Sequence, residues 1–346
     1  MISKNFSKIN KLKFYRHHDF IFWDSIVEKS ETDGYRNEFL IWDFYTLLKF
    51  KKFVCKGTNK FEEEKIFEYG YTNCDDDIGN PLCNLEYFSV IASNTQKMER
   101  KFMPRPDYIK YQPDINVKMR AILVDWLIDV HNKFKLFPKT LFLAVNIIDR
   151  FLTLRSISRQ KLQLLGIAAM LIASKYEEVY APETKDFVYI SDSAYTKEDI
   201  FKMESLICNT LKYDFSSPSL LNLLSFNLKK NEEKRENIFF SWYFIELILL
   251  EYCILKYPPS IVISTIMVFV RELLVNYYEE KFSQKNLKIQ KKVFANNKYS
   301  EDCQNILKSI AILNQNERHR LTANKRKFLA KKYGEISVAI YSIHFL

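Results

Sequence analysis

Glycine is almost absent from the middle of this chain, and that scarcity limits what it can fold into. Six glycines occur in 346 residues, Gly34, Gly57, Gly70, Gly79, Gly166 and Gly334, so Gly166 stands alone between positions 80 and 333. Phosphate-cradling loops and tight turns use clustered glycines for backbone conformations and close approaches that other residues resist. A P-loop, a dinucleotide-binding turn, a protein-kinase glycine loop and a turn-rich β-sandwich are therefore not expected. Helices are favoured.

Proline placement sharpens this. All nine prolines lie between 81 and 259. Pro138, Pro182, Pro218 and the Pro258-Pro259 pair each stand at or just before a run with apolar residues at i, i+3, i+4 and i+7. Proline is tolerated in a first helical turn, where its missing N–H has no intrahelical partner. No stretch of 114–277 alternates with period two. Start and stop signals predict five helices at 116–133, 138–153, 158–177, 182–190 and 196–212. Ser158 and Thr196 are the expected N-caps, with Asp199 placed to complete a capping box. Five more helices follow near 218–229, 235–255, 258–278, 300–315 and 319–332, with polar 281–298 as a loop insertion. The fold class is all-α, two successive five-helix blocks of about 100 residues each.

The net charge is +10, and residues 281–332 hold fourteen Lys and Arg against three acids. Such a tail could meet nucleic acid or an acidic surface. No aromatic interleaving or groove-reading motif accompanies it, so a nucleic-acid partner is not expected. The six cysteines include no CxxC pair and read as reduced thiols of an intracellular protein. The longest apolar stretches, near 238–250 and 260–270, are too short for a membrane span, and no membrane partner is expected. Neither a cofactor nor a metal is expected, and no nucleophile–base pair argues for an enzyme.

The informative pattern lies in helix 116–133. Met119, Ile122, Leu123 and Trp126 form one apolar stripe, and Ala121, Val124, Leu127 and Ile128 form a second. Two stripes mean a central helix or a docking face. Arg120 stands among them and needs a buried carboxylate, because an unpaired buried charge is costly.

Met119–Leu127 (MRAILVDWL) resembles the signature that opens the cyclin box of A/B-type mitotic cyclins. Leu143–Leu152 (LAVNIIDRFL), Lys161–Val179 (KLQLLGIAAMLIASKYEEV), Phe187–Thr196 (FVYISDSAYT), Met203-Glu204 and Leu211–Phe215 continue the likeness in order. The resemblance covers about 85–335, strongly in the first block. It implies two successive cyclin-box domains, 116–216 and 217–335, behind an N-terminal helix and lead-in at 85–115. An extension at 1–84 and a tail at 336–346 flank them.

The resemblance implies a non-enzymatic regulatory subunit that binds and activates a cyclin-dependent Ser/Thr kinase, in the nucleus and cytoplasm. Arg120 and Asp149 match the family's buried salt bridge, and Leu164 matches a core leucine. Lys175 and Glu204 match the pair facing the kinase, with Tyr176, Glu177, Glu178, Val179, Tyr213 and Phe215 extending that surface. Met119, Ile122, Leu123 and Trp126, with Gln163, match a substrate-docking patch for Arg/Lys-x-Leu peptides. Asp129 stands where the family usually has glutamate to receive the peptide's cation. An Arg-x-x-Leu destruction motif does not follow Arg16 or Arg36. Two other readings stay open: a transcription-type factor of the same fold that binds DNA and polymerase, and a kinase-binding scaffold without activation.

Overall fold

The computed structural model describes residues 88–231, 235–283 and 321–330, with isolated positions at 302, 305, 306, 309, 310, 333 and 336. The predicted 1–84 extension, most of the 281–298 insertion and 300–315 helix, and all of the 336–346 tail but Ile336 lie outside the described residues. Among the described residues all regular structure is helical. An N-terminal helix α1 (Phe88–Glu99) precedes a first box of α2 (Val117–Phe134), α3 (Pro138–Leu154), α4 (Leu162–Glu177), α5 (Thr184–Ile190) and α6 (Lys197–Leu211). The second box contains α7 (Leu220–Asn231), α8 (Arg235–Leu247), α9 (Pro259–Ser283) and a short α10 (Ala323–Phe328).

Local chemistry sets most of the boundaries. Asn116 caps α2 by accepting from the Met119 N–H at 2.9 Å. Pro138 occupies the first position of α3, and Thr196 and Asp199 form the expected capping box of α6. Ser158 makes no cap bond; a 3-10 turn at Arg159–Lys161 intervenes and α4 begins at Leu162. Pro182 lies two residues ahead of α5, whose start is fixed by a Glu183/Asp186 capping box.

Helix α4 is the axis of the first box. Every residue from Leu164 to Ser174 is buried against α2, α3 or α6. Gly166 explains itself here: a Cβ at this position would lie 2.8 Å from Leu123 Cδ1, so the missing side chain is what lets α2 close on α4. A glycine inside a helix costs about 1 kcal/mol in propensity, which the closer packing offsets. Gly166→Val is expected to lower stability by about 2–3 kcal/mol by overpacking, measured as a fall in chemical-denaturation midpoint.

In the second box, α8 stops at Leu247 instead of running to 255, and two 3-10 turns follow at Ile248–Leu250 and Tyr252–Lys256. The break turns the Leu249 carbonyl toward the first box, where Arg120 Nη1 donates to it at 3.0 Å. Helix α1 is tied in by Glu99, whose carboxylate accepts from the Ser260 N–H and hydroxyl, both at 2.8 Å, at the start of α9.

Helix α10 is a strap between the boxes. Its Ala323 N–H donates to Asp125 of α2 at 3.0 Å, and Asn324 Nδ2 donates to the Tyr243 carbonyl of α8 at 3.3 Å. Lys327 Nζ meets Glu246 of α8 at 2.5 Å with both side chains sealed from solvent. Trp242 packs edge-on against Phe328 and Tyr333, and Tyr243 edge-on against Phe328, with Lys327 Nζ lying over the Phe328 and Tyr333 rings. Burial raises the Asp125 carboxyl to about 7, against the opposing pull of the Ala323 N–H. A folded-state pKa above the unfolded one means that the folded chain binds an extra proton between about pH 4 and pH 7, so stability falls as pH rises through that window. Asp125→Asn keeps an acceptor and removes the titration. It is expected to flatten that slope and to gain about 2 kcal/mol relative to the wild type between pH 5 and pH 8, read from denaturation at each pH.

Candidate functional site

Three side-chain groups carry chemistry. The first is buried. Arg120 Nε and Nη2 grip the two Asp149 oxygens, each at 2.7 Å, and the side chains are each 2% exposed. Tyr108 from the lead-in donates its hydroxyl to Asp149 Oδ1 at 2.7 Å and sets its ring edge-on to Tyr252 at 5.3 Å. Tyr252 in turn accepts the Ile109 N–H at 3.0 Å. Burial opposes the Arg120 charge, yet the Asp149 carboxylate outweighs it and holds the guanidinium above its ordinary range. Burial, then Asp149, push the Tyr108 hydroxyl well up. With the Leu249 carbonyl, this cluster joins the lead-in, α2, α3 and the second box at one point. Leu164, the expected core leucine, is buried on α4. Asp149→Ala is expected to destabilise the chain by about 3–5 kcal/mol by stranding Arg120, while Arg120→Met with Asp149→Leu recovers much of the loss in thermal unfolding.

The second group lies on an exposed rim formed by the end of α4 and by the middle and end of α6. Lys175 Nζ and Glu204 Oε1 pair at 2.6 Å with side chains 48% and 18% exposed. Tyr176, Val179 and Tyr213 are exposed beside them in sequence. Tyr213 and Lys212 hold φ of 58° and 54°, a left-handed exit from α6 secured by the Tyr213 N–H donating to the Cys208 carbonyl at 3.0 Å. Tyr176 shares a hydrogen bond with Ser216 Oγ at 3.0 Å, which brings the end of α4 against the segment after α6. Phe215, expected as an anchor, is a core residue: it is buried and supports Tyr176 edge-on at 6.3 Å.

Glu178 is likewise turned inward. Its Oε1 accepts from the Phe137 N–H at 2.7 Å and the Thr140 hydroxyl at 2.5 Å, capping α3 and fixing the turn that presents Val179. Glu177 is half-buried and its carboxyl is raised by that burial, with Lys139 opposing. Sequence reasoning missed Tyr180, the most exposed large side chain of the rim at 92%, and Phe201, exposed three residues ahead of Glu204 on α6. For Phe201 the signal was present, since an apolar residue at i−3 shares a helix face with Glu204.

The third group is the stripe on α2. Met119 and Leu123 are core, Leu123 being seated over Gly166. Ile122 and Trp126 are half-buried and present the remaining surface, with Gln163 half-buried at the start of α4. Asp129 ends this face and pairs with Arg326 of α10 at 2.5 Å. Among the described residues, no group of His, Cys, Asp or Glu could hold a metal ion and no helix is long and apolar enough to cross a membrane.

The geometry is that of two helical boxes in tandem, joined where the buried Arg120 donates to the Leu249 carbonyl, with a paired lysine and glutamate on an exposed rim. Family models for "Cyclin, N-terminal domain" and "Cyclin, C-terminal domain" match residues 90–216 and 210–340. The chain belongs to the cyclin family. It is 48% identical over 185 residues to Cyclin-B2-1 of Oryza sativa subsp. japonica, covering 54% of this chain and 44% of that one. It is 37% identical over 271 residues to Cyclin-B2-2 of Arabidopsis thaliana, covering 78% and 61%. G2/mitotic-specific cyclin-B of Hydra vulgaris is 44% identical over 199 residues, covering 58% and 55%. The chain thus spans about half the length of these relatives. A viral cyclin from herpesvirus saimiri shares the fold, with a TM-score of 0.51 at 18% identity over 64% of this chain and 94% of that one.

Proposed function

We propose that this chain is a regulatory subunit, not itself an enzyme, that binds and activates a cyclin-dependent Ser/Thr kinase to drive cell-cycle progression at G2/M, in nucleus and cytoplasm. The observation that carries this is the Lys175–Glu204 pair on its exposed rim. An exposed ion pair is worth about 0.2–1 kcal/mol, so its two members are cheaply redirected to a partner's backbone, the lysine donating and the glutamate accepting. Tyr176, Tyr180 and Tyr213 add exposed amphipathic side chains, and Val179 an exposed apolar one, at the ends of α4 and α6. Activation is then a population shift. The rim binds the arrangement in which the kinase's mobile regulatory helix is swung inward, and it can stabilise that state only by the difference in affinity between the two arrangements.

The Ile122 and Trp126 surface, with Gln163, serves as the docking patch for Arg/Lys-x-Leu peptides of substrates or inhibitors. Two charges of the basic C-terminal region are engaged within the chain: Arg326 by Asp129, and Lys327 sealed against Glu246. Lys175→Ala with Glu204→Ala is expected to reduce capture of a cyclin-dependent kinase from cell lysate by at least about tenfold while far-UV circular dichroism is unchanged. Undiminished capture by that folded variant would overturn the assignment of this rim.

A further inference from the structure

We propose that Arg326 determines which peptides the α2 surface selects: by occupying Asp129 it makes docking depend on the peptide's apolar anchor and not on its cation. The inference rests on the reading of that surface as a peptide-docking patch. Asp129 lies three residues after Trp126 and seven after Ile122, on the same helical face, so it is the carboxylate that a cation beside the docked apolar residue would reach. That carboxylate already carries Arg326 Nη2 at 2.5 Å, with side chains 47% and 44% exposed.

Arg326 is a held cation. Its Nη1 bonds the Thr322 hydroxyl. Its backbone is fixed on both sides, by the Ala323 N–H on Asp125 at 3.0 Å and by Lys327 on Glu246 at 2.5 Å, the latter pair with 1% and 0% exposed side chains. A side chain held this way loses little freedom on pairing, whereas a peptide arginine arriving from solution loses most of its own. The peptide's cation also meets repulsion from Arg326 if it approaches without displacing it. The internal arginine therefore keeps the carboxylate, and the peptide is ranked by what it places against Ile122 and Trp126.

The test uses the full chain and two fluorescein-labelled synthetic peptides, one carrying Arg-x-Leu and the other Ala-x-Leu, with fluorescence anisotropy as the readout. In the wild type the two affinities are expected to differ by less than about twofold. In Arg326→Ala they should differ by about fivefold, the worth of one exposed ion pair, and in Arg326→Ala with Asp129→Ala the difference should fall back to less than about twofold. Equal discrimination by wild type and Arg326→Ala, both binding, would overturn the role of Arg326 and leave the docking patch standing. Binding of neither peptide by any of these proteins, or binding undiminished in Trp126→Ala, would remove the docking patch and this inference with it.

Discussion

The buried pairing of Arg120 with Asp149 is the constraint on which the rest of the architecture hangs. A guanidinium at 2% exposure cannot stand alone, and its donors are distributed over two elements: two to Asp149 on α3 and one to the Leu249 carbonyl of the second box. Each partner then recruits another. Asp149 takes the Tyr108 hydroxyl, which docks the lead-in, and Tyr252 closes the circuit through the Ile109 N–H. The premature end of α8 follows from this cluster, because a carbonyl consumed in a continuing helix would not face Arg120.

The ion pairs divide by burial, and burial decides what each can do. Arg120–Asp149 and Lys327–Glu246 are sealed, so losing either partner strands a charge, and the pairs fix geometry. Lys175–Glu204 and Asp129–Arg326 are at least partly open to solvent, where the net worth of a pair is small; exchange with an outside group is cheap for Lys175–Glu204, whereas Arg326 is also held by the Thr322 hydroxyl. The sealed pairs hold the frame and the open ones stand at the two surfaces where a partner would arrive.

Much of this was legible in the sequence because its causes are local. Helical periodicity, Pro138, Pro259 and the Thr196/Asp199 box marked elements directly, and the doubled stripe of α2 marked a helix that is either central or a docking face. What stayed hidden depends on contacts made across the chain. Ala323 to Asp125 and Arg326 to Asp129 are 198 and 197 residues apart, and no pattern within a helix couples them. The inward turn of Glu178 and the burial of Phe215 also depend on neighbours that only the fold supplies. Glycine scarcity favoured helices but did not mean an absence of left-handed backbone. Lys135, Asp192, Ser193, Lys212 and Tyr213 all take φ between 54° and 59°. Each costs about 1 kcal/mol, offset at the exits of α2 and α6 by C-cap hydrogen bonds.

That strain sits where rigidity is useful. Tyr213 is 67% exposed, so its left-handed backbone gains nothing from burial of its own ring; what it gains is direction, the chain turning past the end of α6 toward Ser216, which bonds Tyr176. Glu178 does the same for Val179 and Tyr180 by tying the end of α4 to the start of α3. A binding face whose anchors are already in position loses little entropy when a partner docks, so more of the interaction energy remains to bias the partner's own equilibrium. Were the rim free to move, both proteins of the proposed complex would adjust on docking and the shift would be shared; a frame locked by buried charges would instead leave the conformational change to the proposed partner.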